Sequence, residues 1–86
     1  MPGGAQNPMS DVLSLLEKGD WQAAHALVQQ DEESKLACWA HGIVHVMEGD
    51  LANARYWYRA ADRPFPAPYS ADREIAALRK ALRNPG

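Results

Sequence analysis

Gly19-Asp20-Trp21-Gln22-Ala23-Ala24-His25 returns thirty residues further on as Gly49-Asp50-Leu51-Ala52-Asn53-Ala54-Arg55. In both copies a helix-forming segment runs into a glycine, which readily takes a left-handed C-terminal turn, and then an aspartate that can cap the next helix. An alanine follows one turn into that helix, where a small side chain lets two helices come close. Helix, two-residue turn, helix, written twice, is the pattern of a repeated helical hairpin whose copies bury a shared core by stacking.

Working outward, Met9, Val12, Leu13 and Leu16 fall on one face of a first helix that Ser10 can cap and Gly19 ends. Asp20 opens a second helix with Trp21, Ala24 and Val28 on its apolar side. Asp31-Glu32-Glu33-Ser34 then breaks the chain and starts a third, with Ser34 as cap. From Leu36 to Met47 that helix is apolar almost all round, which places it inside the structure or under a partner. The fourth helix runs from Asp50 to about Asp62 and carries Tyr56, Trp57 and Tyr58 in succession, so at least one ring lies near a surface. Pro64, Pro66 and Pro68 impose an extended path in which Phe65 is expected to dock on the fourth or the last helix. Ser70 caps the last helix, with Ala71, Ile75, Leu78 and Leu82 on one stripe and Arg73, Arg79, Lys80 and Arg83 on the other; Asn84-Pro85-Gly86 stops it. Residues 1–8 contain two prolines and two glycines and nothing to bury, and read as a disordered lead to a single domain over 9–86.

A chain of 86 residues buries only about 60 to 65% of its unfolded surface, so self-association would help it. The single cysteine, Cys38, excludes an internal disulfide and fits a reducing compartment. No apolar run approaches the roughly 18 residues of a membrane span, and the first nine residues lack the basic and apolar blocks of a signal peptide. The expectation is a cytoplasmic protein with no membrane partner. Its net charge of −2 is unevenly spread: residues 1–48 hold seven acids and two bases, residues 49–86 seven bases and four acids. Complementary halves can pack within one molecule or steer two copies together.

In the second hairpin, Gly42, the Gly49-Asp50 turn, Ala54, Tyr58, Ala61 and Pro66 fall in register with the small, turn, aromatic and closing proline positions of a tetratricopeptide repeat, which residues 35–66 resemble. The first hairpin matches at Gly19, Asp20 and Ala24, with Val12 in place of a small residue and a spacing of 30 rather than about 34. Cys38, His41 and His45 stand where that family has bulky residues. The resemblance implies an all-α, short right-handed solenoid of two hairpins and a C-terminal capping helix. It also implies a groove lined by the third helix, at Leu36, Trp39, Ile43, Val46 and Met47. Such a groove would make the chain a non-enzymatic, self-associating interaction module whose partner is a protein or peptide, possible partners including a second copy in a homodimer.

The alternative is a small metal- or ligand-binding helical protein. His41, His45 and Glu48 lie at i, i+4 and i+7 on one stripe, the spacing by which a helix can hold a divalent ion, and His25 could add a ligand. Buried histidines bonded to neighbours are the commoner outcome of that spacing, so neither a metal nor any other cofactor is expected. Arg55, Arg59 and Arg63 beside Tyr56, Trp57 and Tyr58 could stack on and neutralise nucleic acid, but the acidic overall charge argues that they pair within the chain instead. Cys38 with His41 is a nominal nucleophile and base lacking an orienting acid or oxyanion donors, and no phosphate loop or nucleophile elbow occurs.

Overall fold

A computed structural model describes residues 8–83 as five α-helices: α1 (Pro8–Lys18), α2 (Trp21–Val28), α3 (Lys35–Glu48), α4 (Leu51–Ala60) and α5 (Ala71–Arg83). The two repeated phrases are its turns. Gly19 and Gly49 take left-handed φ values of 84° and 94°. After them Asp20 N–H reaches back to the Leu15 carbonyl at 2.9 Å and Asp50 N–H to the His45 carbonyl at 2.8 Å, so each break closes in the same way. The Asp20 carboxylate then accepts from Ala23 N–H, and that of Asp50 from Asn53 N–H, each at 3.2 Å. These contacts join α1 to α2 and α3 to α4 as hairpins.

Ser34 caps α3 through Ala37 N–H at 3.3 Å and Ser70 caps α5 through Arg73 N–H at 3.2 Å. At the first helix the expected start shifts. α1 begins at Pro8, a residue whose fixed φ and missing N–H suit a first helical position, so Ser10 lies inside the helix and Pro8 is not part of the lead. The rest of the expected lead, and the Asn84-Pro85-Gly86 stop, lie outside the described residues.

α3 is the axis of the packing, in contact with each of the other four helices. Its residues from Ala37 through His45 are buried without a break. The closest approach is to α4, where Gly42 faces Ala54 and the Tyr58 ring. A Cβ at Gly42 would stand 2.5 Å from Tyr58 Cδ1 and 3.2 Å from the Ala54 carbonyl oxygen. That ring has little room to yield: Tyr58 is 1% exposed, and its hydroxyl bonds both the Tyr69 hydroxyl and Glu74 Oε1 at 2.7 Å.

α5 does not continue the stack outward. It folds back over α3 and α1 and makes no backbone packing with α4. Glu74 Oε1 accepts from Trp39 Nε1 at 3.0 Å as well as from Tyr58, so one carboxylate fastens α5 to both helices of the second hairpin. Arg79 pairs with Glu17 across α5 and α1, and Lys35 with Asp62 at 3.2 Å. Glu17–Arg79 joins an acid of the first half to a base of the second within one molecule, whereas Lys35–Asp62 pairs the halves in the opposite sense. Phe65 docks as expected, edge-on to Tyr58 with ring centroids 5.1 Å apart, under the Arg55 guanidinium. No helix among the described residues is long and apolar enough to cross a membrane.

Gly42→Ala gains about 1 kcal/mol of helix propensity but forces a methyl against a pinned ring and a backbone carbonyl. The overpacking is the larger effect, and urea unfolding should show a net loss of roughly 1 to 2 kcal/mol. A gain in stability would mean that the α3–α4 crossing is loose.

Candidate metal centre

His41 and His45 are one turn apart on α3 and point to the same side. His25 comes from α2, held against α3 by the burial of Ala24 and Val28 on either side of it. One nitrogen from each of these three imidazoles lies within 4.8 Å of the other two. The ring centroids are 5.0 Å apart for His25 and His41, 5.2 Å for His25 and His45, and 5.1 Å for His41 and His45. Three imidazoles on one tetrahedral ion, with metal–nitrogen bonds of about 2.0 to 2.1 Å, have centroids about 5 Å apart and ligating nitrogens about 3.4 Å apart. The ring centroids stand at the spacing such an ion needs, and the nitrogens, now within 4.8 Å, would close to that shorter separation around it.

Each histidine is prepared differently. His45 Nδ1 lies 2.5 Å from Glu48 Oε1. A carboxylate can only accept, so Nδ1 carries a proton and Nε2 is the nitrogen left to meet an ion; this carboxylate–imidazole arrangement orients many metal-bound histidines. His41 is 3% exposed, and its Nδ1 has no hydrogen-bond partner among the described residues. Burial, with His45 and His25 beside it, lowers its pKa to about 4, so His41 is neutral and keeps a lone pair at ordinary pH. Trp57 of α4 lies flat on it, centroids 3.9 Å apart and planes 7° apart. His25 is half-buried and forms the more open side.

A second trio, His45, Glu48 and Asp50, also falls within 4.8 Å. Both its carboxylates are in use: Glu48 holds His45, and Asp50 caps α4 through Asn53 N–H and Asn53 Nδ2. The three-histidine set is the better donor group. Of the stripe His41, His45 and Glu48, the structure brings the two histidines together with His25, while Glu48 is hydrogen-bonded to His45. Trp57 was not foreseen here. Its position one turn after Ala54, on the α4 face that meets α3, was the available signal.

The stripe expected to receive a partner is placed otherwise. Trp39 and Ile43 are 2% and 0% exposed, while Leu36, Val46 and Met47 are half-buried. α5 lies on α3 and its Glu74 accepts from the Trp39 indole, so the chain's own last helix takes up the Trp39 part of that stripe. Two of the three arginines near the aromatic run have internal contacts: Arg63 sits 3.4 Å over the Trp39 ring and Arg55 stacks on Phe65. Cys38 directs its thiol to the Glu32 carbonyl at 3.4 Å, and burial, with Asp31 and Glu32 nearby, pushes its pKa up. Comparison with protein families, curated proteins and solved structures finds no match for this chain.

The lowered pKa of His41 fixes the sign of a pH effect on the metal-free protein. Between pH 6.5 and about 4 the unfolded chain binds this proton and the folded chain does not, so stability is lost as pH falls through that window. The loss should be on the order of 2 to 3 kcal/mol by denaturant unfolding. His41→Phe, which keeps a ring against Trp57, should remove that part of the pH dependence; an unchanged profile would mean that His41 protonates freely in the fold.

Proposed function

We propose that this chain is a small helical module that binds a divalent transition ion through His25, His41 and His45. The convergence of three imidazole nitrogens from two helices carries the reading. Neutral nitrogen donors suit zinc, nickel, cobalt or copper, whereas calcium and magnesium demand oxygen. The ion would tie α2 to α3, the joint between the two hairpins, so its effect would be to lock one hairpin on the other. The role proposed is binding rather than catalysis. The repeated turns and the Gly42–Ala54 approach favour a divergent tetratricopeptide-like hairpin pair as its scaffold.

A second reading, an interaction module that pairs two copies, is favoured by one observation. A cleft of about 420 Å³ opens among Val12, Leu27, Val28, Leu36, Ala37 and Leu82, with Asp31 also in its lining. Its occupant would come from the more basic second half of another chain. Leu36→Glu should then abolish a dimer seen by light scattering, and a monomer at high concentration for the parent chain would remove this reading.

The metal reading predicts one zinc ion per chain by isothermal titration calorimetry, and a raised melting temperature that a chelator reverses. At free zinc 100-fold above Kd the stabilisation is about 2.7 kcal/mol. His25→Ala should remove most of the affinity. Glu48→Gln, which leaves all three donors in place, should weaken binding by about 10- to 100-fold. If zinc, nickel and cobalt all leave the melting temperature unchanged, the histidines are packing residues.

A further inference from the structure

Building on the metal reading, we propose that the ion held by His25, His41 and His45 keeps one coordination position for an exchangeable small monodentate ligand, water or an anion, and is not a closed structural site. The donor inventory is the first argument. Among the described residues, no carboxylate or thiol joins the three histidines in a common set of ligand atoms. Glu48 is bonded to His45 Nδ1, on the other side of the ring from Nε2. Asp50 spends its two oxygens on Asn53, one on the backbone N–H and one on the side-chain amide, and the Cys38 thiol is turned to Glu32. A tetrahedral ion with three protein ligands completes its shell from outside, the arrangement that separates open sites from closed ones.

The surroundings then say what can enter. α2 and α4 both pack on α3 but not on each other, so His41 and His45 form the floor of a trough between two helices. His25 on one wall and Trp57 on the other are both half-buried, and Tyr56, edge-on to Trp57, is 53% exposed at the rim. His41 and His45 are 3% and 7% exposed and the indole plane is pressed on His41, so whatever completes the shell must be small and come in past the half-buried His25. Charge favours an anion. Imidazole donors carry no negative charge, and among the described residues the carboxylates grouped with His45 are Glu48, one hydrogen bond removed, and Asp50 beyond it.

Cobalt(II), whose visible bands report coordination, is the probe. The full chain is titrated with cobalt chloride and then, at saturating metal, with sodium azide and separately with sodium thiocyanate. We expect one cobalt per chain and a saturable change in the visible bands with each anion, while His25→Ala loses the cobalt spectrum. Cobalt that binds one per chain with a spectrum indifferent to both anions would overturn the open position and leave the three-histidine site standing, its shell closed by the chain or by a second copy. Absence of any cobalt spectrum would overturn both the open position and the site on which it rests.

Discussion

Everything in this molecule hangs on the burial of α3. A single helix in contact with four others must present a suitable surface in every direction, and α3 does so by varying side-chain size around its circumference. Gly42 admits α4 at close range, Trp39 spreads beneath α5, and Ala40, Ile43 and Val44 fill the interior at 0% exposure. Burial of the histidines follows from the same constraint. His41 and His45 lie on the sector between α2 and α4, and the packing of those two helices on α3 takes them out of water. A polar group in that position must find a partner or remain neutral. His45 finds Glu48, while His41 remains neutral under Trp57.

The second organising contact is the Glu74 carboxylate. It accepts from the Trp39 indole and the Tyr58 hydroxyl, the latter also bonded to Tyr69, and so links α3, α4, the proline-rich connection and α5 in one network. The result is a closed bundle. The last helix turns inward over α3 and α1, while Leu36, Val46 and Met47 of α3 stay half-buried.

Local signals made much of this readable from sequence. The two Gly-Asp turns, the caps at Asp20, Ser34, Asp50 and Ser70, and the apolar stripe of α5 all act within a few residues, where spacing determines geometry. The direction of α5 did not, because it depends on a hydrogen bond between Trp39 and Glu74, thirty-five residues apart. Nothing in the periodicity of either helix says which face of α3 the last helix will take. The apolar stripe from Leu36 to Met47 was thus legible as a surface needing cover, but the meeting of α5 with it at Trp39 was not. The histidine site divides in the same way. His41 and His45 follow from helical spacing, whereas the approach of His25 requires the angle between two hairpins, and the stacking of Trp57 requires the depth at which α4 sits.

That stacking has a spectroscopic consequence. An indole in face-to-face contact with an imidazole that belongs to the proposed donor set is electronically coupled to events at that ring. Trp57 is half-buried beside the trough, whereas Trp39 lies in the interior with its Nε1–H bonded to Glu74 and a guanidinium over its face. Trp39 and Trp57 therefore emit from different surroundings, and Trp57 is the one stacked on His41, while Trp21, the third tryptophan, lies one turn before His25 on α2. A paramagnetic ion or a proton arriving at His41 would withdraw excitation from Trp57 far more than from Trp39. The molecule carries a built-in fluorophore trained on its own site, so that the state of the histidines can be followed in dilute solution without a label.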